Sequence, residues 1–285
     1  MIIALIGLGE VGRVLAEDLA EGNALTAWDI AFADPDSRAA HNARELPVRA
    51  ATAATDAVRS AELVISAVTA ANDLSAARDV ATAVASRAWF LDLNSASPTQ
   101  KAAAAEAIDA AGGRYVEAAV LSPIYPKRIG SPILLGGPHA SDFVEVARAF
   151  GFTGAEFFAS TVGPASATKL CRSVVVKGVE ALLMESMLTA RTWGVEKPVL
   201  DSLSNLLPAA DWAQLAEYMI RRSIEHGERR SEEMVEAART VTDAAVEALM
   251  ATATVRRQAW AAGQRDALVA DDLGGLLDAI RATRT

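Results

Sequence analysis

The chain has 285 residues, 52% hydrophobic and 22% charged, with a mean hydropathy of +0.21. That excludes a disordered chain and leaves room for one large domain or two ordinary ones. A formal charge of −9, from 27 Lys and Arg against 36 Asp and Glu, disfavours nucleic acid and anionic membranes as partners. A single cysteine, Cys171, rules out an intrachain disulfide, and three scattered histidines, His41, His139 and His226, argue against a metal centre.

The first residues lack the basic start and small-residue cleavage site of a signal peptide. The longest apolar run, 174–187, is interrupted by Lys177, Glu180 and Glu185, so no membrane span is expected. The expectation is a cytoplasmic protein in a reducing compartment.

From the N-terminus to about residue 160, short apolar runs alternate with alanine-rich helical stretches, the pattern of βαβ units around a parallel sheet. Strands are predicted at 2–6, 24–28, 63–68, 89–93, 114–118 and 133–135. After Gly163 and Pro164 the period changes: 165–191 reads as one helix, and everything beyond it as helix or turn. The expected architecture is α/β. A doubly wound parallel sheet of Rossmann type occupies 1–162, and an all-helical domain, entered through the long helix, occupies 163–285.

The first strand runs into Gly7-Leu8-Gly9-Glu10-Val11-Gly12 and then a helical stretch. In that context Gly7 permits a tight turn, Gly9 lets a pyrophosphate approach the backbone, and Gly12 lets helix pack on strand. The helix start supplies N–H donors for the phosphates. Asp29 ends the second strand twenty residues after Gly9, the spacing at which a carboxylate accepts from adenosine ribose hydroxyls and repels a 2′-phosphate. This favours NAD over NADP, although Arg38 leaves NADP possible; alternatively, Asp29 only caps the following turn. Val68 and Thr69 follow one strand and Asn94 and Ser95 another, at the sheet edge where ligands bind, and are expected on the nicotinamide or substrate side. Ser97, followed by Pro98 and Gln100, reads as a helix cap.

Taken in order, Gly7 to Gly12, 63–69, Asp92 to Pro98, 117–137 and the stretch from Gly163 to Ser173 resemble the β-hydroxyacid dehydrogenase superfamily, which includes 3-hydroxyisobutyrate and 6-phosphogluconate dehydrogenases. The run from His226 to Met234 resembles a less characterised, phosphogluconate-dehydrogenase-like branch. The resemblance implies hydride transfer from an alcohol carbon β to a carboxylate onto a nicotinamide, with Lys169 moving the hydroxyl proton. An ammonium at its ordinary pKa is a poor base, so this role calls for burial or a cationic neighbour such as Arg172. Spacing alone would also allow a solvated surface lysine. Lys169, Arg172 and Ser173 share a helix face; Ser173, standing where the family usually carries asparagine, is expected to hold the substrate hydroxyl in catalysis, and Arg172 to bind the substrate.

Ser122, in Val120-Leu121-Ser122-Pro123-Ile124, stands near the family's Ser-Gly-Gly loop without its glycines. It is expected to assist catalysis and to hold the substrate. Tyr125, Lys127 and Arg128 would replace the missing backbone contacts, or are ordinary loop residues. Relatives imply a homodimer through the helical domain.

A helix over 211–238 shows an apolar stripe through Trp212, Leu215, Met219 and Met234, interrupted by Ser223, His226, Gly227 and Arg230. Polar groups at core positions need partners, and a glycine inside a helix implies a close approach. Either His226 and Arg230, with Arg222 or Arg229, bind an anionic substrate, or they form a salt-bridge network with Glu225, Glu232 or Glu233. Two alternatives to the dehydrogenase remain: an imine reductase-like enzyme, a class that carries Asp or Tyr in place of Lys169, and a non-catalytic NAD(H)-binding protein.

Overall fold

The computed structural model describes residues 1–203, 205 and 211–283. The chain divides into two compact units, Met1–Leu170 and Cys171–Thr285.

The first unit opens with β1 (Ile2–Ile6), α1 (Glu10–Leu19), β2 (Ala24–Trp28), α2 (Arg38–Glu45), β3 (Arg49–Ala50) and α3 (Ala54–Val58). It continues through β4 (Leu63–Ser66), α4 (Asp73–Ala81), β5 (Trp89–Asp92), α5 (Pro98–Ala110), β6 (Arg114–Val120), β7 (Ile133–Gly136), α6 (Ala140–Ala149) and β8 (Ala155–Ala159). The strands form one sheet in the order β3-β2-β1-β4-β5-β6-β7-β8. All pairs are parallel except β6 with β7. A parallel sheet covered on both faces needs continuously apolar strands, and β1 shows why. Ile3 and Leu5 join a layer with Leu15, Leu19, Trp89 and Phe143, while Ala4 and Ile6 join the opposite layer with Val58, Val64, Phe90 and Tyr115.

Strands β1 and β2 coincide with their predicted spans, β4 and β5 end one or two residues earlier, and β6 runs on to Val120. The two edge strands escape the sequence pattern for physical reasons. Strand β3 is two exposed residues, and β8 leaves Glu156, Phe157 and Phe158 exposed in succession, so neither presents an apolar run or an alternation.

The long helix α7 (Pro164–Trp193) begins in the first unit. The division falls at Leu170 because the helix start is bound to the sheet. Glu117 of β6 accepts the Gly163 and Ser166 N–H groups, both at 2.8 Å, and Ala165 packs with Ala119 and Leu134.

The second unit contains the rest of α7, then α8 (Glu196–Leu203), α9 (Trp212–Asp243), α10 (Leu249–Ala262) and α11 (Leu273–Ala282). Its core gathers Leu183, Met184, Met187, Trp212, Ile220, Ile224, Leu277 and Ile280. The expected close approach to Gly227 is made by the backbone of α10 at Gln258 and Ala262. Among the described residues no helix is long and apolar enough to cross a membrane.

Candidate functional site

In the order β3-β2-β1-β4-β5 the chain reverses direction across the sheet between β1 and β4, and open α/β sheets bind ligands outside the carboxyl ends of strands at such a point. The glycine turn lies there. Gly7 has φ +96°, and a Cβ on it would meet the Ala67 carbonyl beyond β4 at less than 3.0 Å. A Cβ on Gly12 would strike the Gly7 carbonyl, whereas one on Gly9 would meet nothing within 4 Å. Two glycines are thus required by packing and the middle one faces open space, as a turn built for a pyrophosphate demands. No side chain caps α1, so its first N–H groups, at Glu10, Val11 and Gly12, remain open to an anion. Leu8 is buried, and its own N–H is already used within the fold.

Asp29 caps the following turn, the alternative the sequence left open, and also holds the glycine turn. Its Oδ1 accepts from Ala31 at 2.8 Å, capping the short helical turn at 30–33, and its Oδ2 accepts from Leu8 at 2.7 Å. The carboxylate therefore stands against the glycine turn, half-buried, and retains lone pairs for a ribose. Asn42 of α2 is a contributor that the sequence did not disclose. Buried, it donates to the Leu8 carbonyl at 2.8 Å and the Gly9 carbonyl at 3.3 Å and accepts from Arg13 at 2.9 Å.

Beyond β4, Val68 is half-buried and Thr69 exposed; beyond β5, Ser95 is half-buried. Asn94 requires a correction. It is buried, with Nδ2 donating to Ser66 Oγ at 2.9 Å and to Asp73 Oδ1 at 2.7 Å, and Oδ1 accepting the Val68 N–H at 2.7 Å. An amide with both N–H bonds spent and its oxygen engaged positions the chain after β4 rather than touching a ligand. Behind it lies a charged cluster: Lys101 Nζ meets Asp92 Oδ1 at 2.5 Å and the Tyr115 hydroxyl donates to Asp92 Oδ2 at 2.6 Å, all three fully buried. Burial and the Asp92 charge push the Asp73 carboxyl up to about 7, and burial drives the Tyr115 hydroxyl well above its ordinary range. Ser97 caps α5, as expected.

In the loop after β6, Ser122 Oγ is buried without a hydrogen-bond partner, while Tyr125 and Lys127 are exposed. Arg128 is ion-paired within the first unit. It is held by Asp18 at 2.8 Å and Glu17 at 2.7 Å and so ties this loop to α1. Lys169, half-buried on α7, belongs to the first unit.

In the second unit Arg172 and Cys171 are exposed. Ser173, expected beside the substrate, is buried instead. Its hydroxyl accepts from Lys177 at 3.1 Å, and Lys177 also pairs with Glu233 at 2.6 Å. Arg230, expected to bind substrate, is likewise corrected: it is buried and ion-paired with Glu180, which also accepts from Gln258 at 3.1 Å. The salt-bridge alternative holds for Arg230, through a partner on α7 rather than one on its own helix. His226 is half-buried, with Nε2 3.7 Å from Glu225. Burial, and then Arg222, Arg229 and Arg230, hold its imidazole below the ordinary value.

A Rossmann sheet with this turn at its reversal point defines an NAD(P)-binding domain. Residues 2–163 match the NAD binding domain of 6-phosphogluconate dehydrogenase, and 190–261 match a domain of unknown function, DUF1932. A conserved hypothetical protein from Sinorhizobium meliloti 1021 is 34% identical, covering 100% of this chain and 97% of its own, with a TM-score of 0.76. A conserved protein of unknown function, noted for structural similarity to 3-hydroxyacid dehydrogenases, is 29% identical over 96% of this chain and 99% of its own (TM-score 0.70). The 3-hydroxyisobutyrate dehydrogenase of Mycobacterium tuberculosis shares the fold at 18% identity, over 100% of this chain and 99% of its own (TM-score 0.73). The chain belongs to the β-hydroxyacid dehydrogenase superfamily.

Proposed function

We propose that the protein is an NAD-dependent oxidoreductase that moves hydride between a small β-hydroxy acid and the nicotinamide, with Lys169 as general acid and base. The observation that carries this reading is the joining of the open glycine turn at the β1/β4 reversal to Asp29, whose carboxylate is bonded to the turn itself. Gly7, Gly9 and Gly12 admit the pyrophosphate, the first N–H groups of α1 bind it, and Asp29 accepts from the adenosine ribose and repels a 2′-phosphate. Val68, Thr69 and Ser95 flank the nicotinamide. The nicotinamide, when bound, supplies the two-electron acceptor.

In the oxidative direction the substrate's C–H bond breaks with its electron pair leaving as hydride, and the hydroxyl proton passes to Lys169. Ser122, whose buried hydroxyl lacks a partner, holds the substrate. The protein acts in the cytoplasm as a homodimer through its helical unit. Support for that contact comes from Val175 and Leu182, exposed seven residues apart on α7.

The test is absorbance at the reduced-nicotinamide band for wild type and Lys169→Ala, with NAD and NADP, across three- to six-carbon β-hydroxy acids and their phosphates. Turnover with NAD that falls by about 10²–10⁴ in the variant, with cofactor affinity kept, is the expected result. NAD binding without turnover of any substrate overturns it.

A further inference from the structure

Helix α9 carries five arginines, and four have carboxylate partners. Arg221 pairs with Glu217 at 2.9 Å, Arg229 with Glu233 at 2.7 Å, Arg239 with Glu236 at 2.5 Å, and Arg230 with Glu180. Arg222 has none among the described residues, and its Nε is buried without a hydrogen-bond partner. The hydroxyl of the adjacent Ser223 is also buried and unpartnered. A guanidinium stripped of water at one nitrogen and given no counter-charge is costly to a fold, and in a chain of net charge −9 acidic partners are not scarce. Leaving it with no carboxylate, and only the Tyr218 ring 6.0 Å from its Cζ, makes physical sense when the counter-charge arrives with a ligand.

His226 stands one helical turn beyond Arg222, half-buried. Residues at that spacing have Cβ atoms ~5–6 Å apart, close enough for two side chains to grip one oxyanion. Around the imidazole stand Arg222, Arg229, Arg230 and, on the acidic side, Glu225. Two of these cations are neutralised by Glu233 and Glu180, which leaves Arg222 to provide the attraction.

We propose that Arg222 and His226 form a two-point receptor for the anionic group, carboxylate or phosphate, of a small-molecule substrate. Arg222 presents N–H donors in a fixed fork, and His226 adds one N–H when neutral and a charge when the bound anion draws a proton onto it. Glu225 opposes the anion and sets how strongly it must bind. The assignment of the anion to the substrate rests on the dehydrogenase reading; the binding does not.

The experiment follows the imidazole resonances of the whole protein by nuclear magnetic resonance while inorganic phosphate or propionate is titrated in. His226→Gln identifies the signal among the three histidines. The expected result is a saturable shift of His226 with one or both anions and a rise of about one unit in its pKa, while His41 and His139 stay unmoved. A response to phosphate alone assigns a phosphorylated substrate. Arg222→Met should weaken the anion at least tenfold, Arg222→Lys should restore part of the loss, and Glu225→Gln should tighten it. Absence of any His226 response, or equal affinity in Arg222→Met, overturns the proposal. Anion binding is read without turnover, so a failed dehydrogenase assay and a failed receptor are distinguishable.

Discussion

Asn94 and Asp73 meet at 2.7 Å inside the first unit, and through that bond a buried acid is coupled to the Val68 backbone at the end of β4. Asp73 Oδ2 has no hydrogen-bond partner, and burial together with the Asp92 charge disfavours a second negative charge there. With the Asp73 carboxyl pushed up to about 7 from 3.8, the folded state holds a proton that the unfolded chain has released between those values. Its contribution is complete below pH 3.8 and is lost as pH rises through about 7. Asp73→Asn keeps an oxygen for Asn94 and removes the charge that burial and Asp92 disfavour. Urea unfolding should find the variant near wild type at about pH 5 and more stable by a few kcal/mol at about pH 8, at ~1.4 kcal/mol per pK unit. Equal effects at both pH values would show that Asp73 does not titrate there.

Asn42 clamps the carbonyl side of the glycine turn and leaves the opposite side free for phosphate oxygens. Asn42→Ala removes both bonds, exposes Arg13 to solvent competition and lets the turn relax. NADH fluorescence titration should show binding about tenfold weaker, roughly 1.4 kcal/mol, with the KM of the hydroxy acid unchanged. Unaltered cofactor affinity would reduce Asn42 to a packing residue.

Arg230 and Glu180 are both buried, so removing one strands the other. Arg230→Met should cost about 3–5 kcal/mol, and the double variant Arg230→Met, Glu180→Met should recover most of it, because two apolar groups carry no desolvation penalty. Thermal melts of the singles and the double decide this. A raised substrate KM with an unchanged melting temperature would return Arg230 to the substrate.

How far these sites could be read from the chain depends on sequence distance. The glycine turn and the Asp29 carboxylate are legible because a local spacing specifies them, and the central strands because burial on both faces demands apolar runs. Asn94 is conspicuous at the end of β5, but Asp73 and Ser66, which consume it, lie 21 and 28 residues away on other elements. Lys101 sits in an alanine-rich helix that looks solvated, and only the fold delivers Asp92 to it. Arg230 reads as an interruption of an apolar stripe; its partner is fifty residues upstream. Local pattern reveals which polar groups stand at core positions, while what satisfies them is a tertiary fact.

Gly227 gives the last test, because two general effects oppose each other there. Alanine is favoured over glycine inside a helix by about 1 kcal/mol. A Cβ at 227, however, would lie closer than 3.0 Å to the Gln258 carbonyl and the Ala262 nitrogen, both backbone atoms of α10 that no rotamer change can move. Overpacking of this kind costs about 1–3 kcal/mol and acts on the crossing that brings α10, with Gln258, to Glu180. Gly178, inside α7, is the matched control, since a Cβ there would have nothing within 4 Å. Gly178→Ala should raise the melting temperature and Gly227→Ala should lower it. A stabilising Gly227→Ala would mean that α9 and α10 separate at little cost, and that the closeness of this crossing does not hold Gln258 in place.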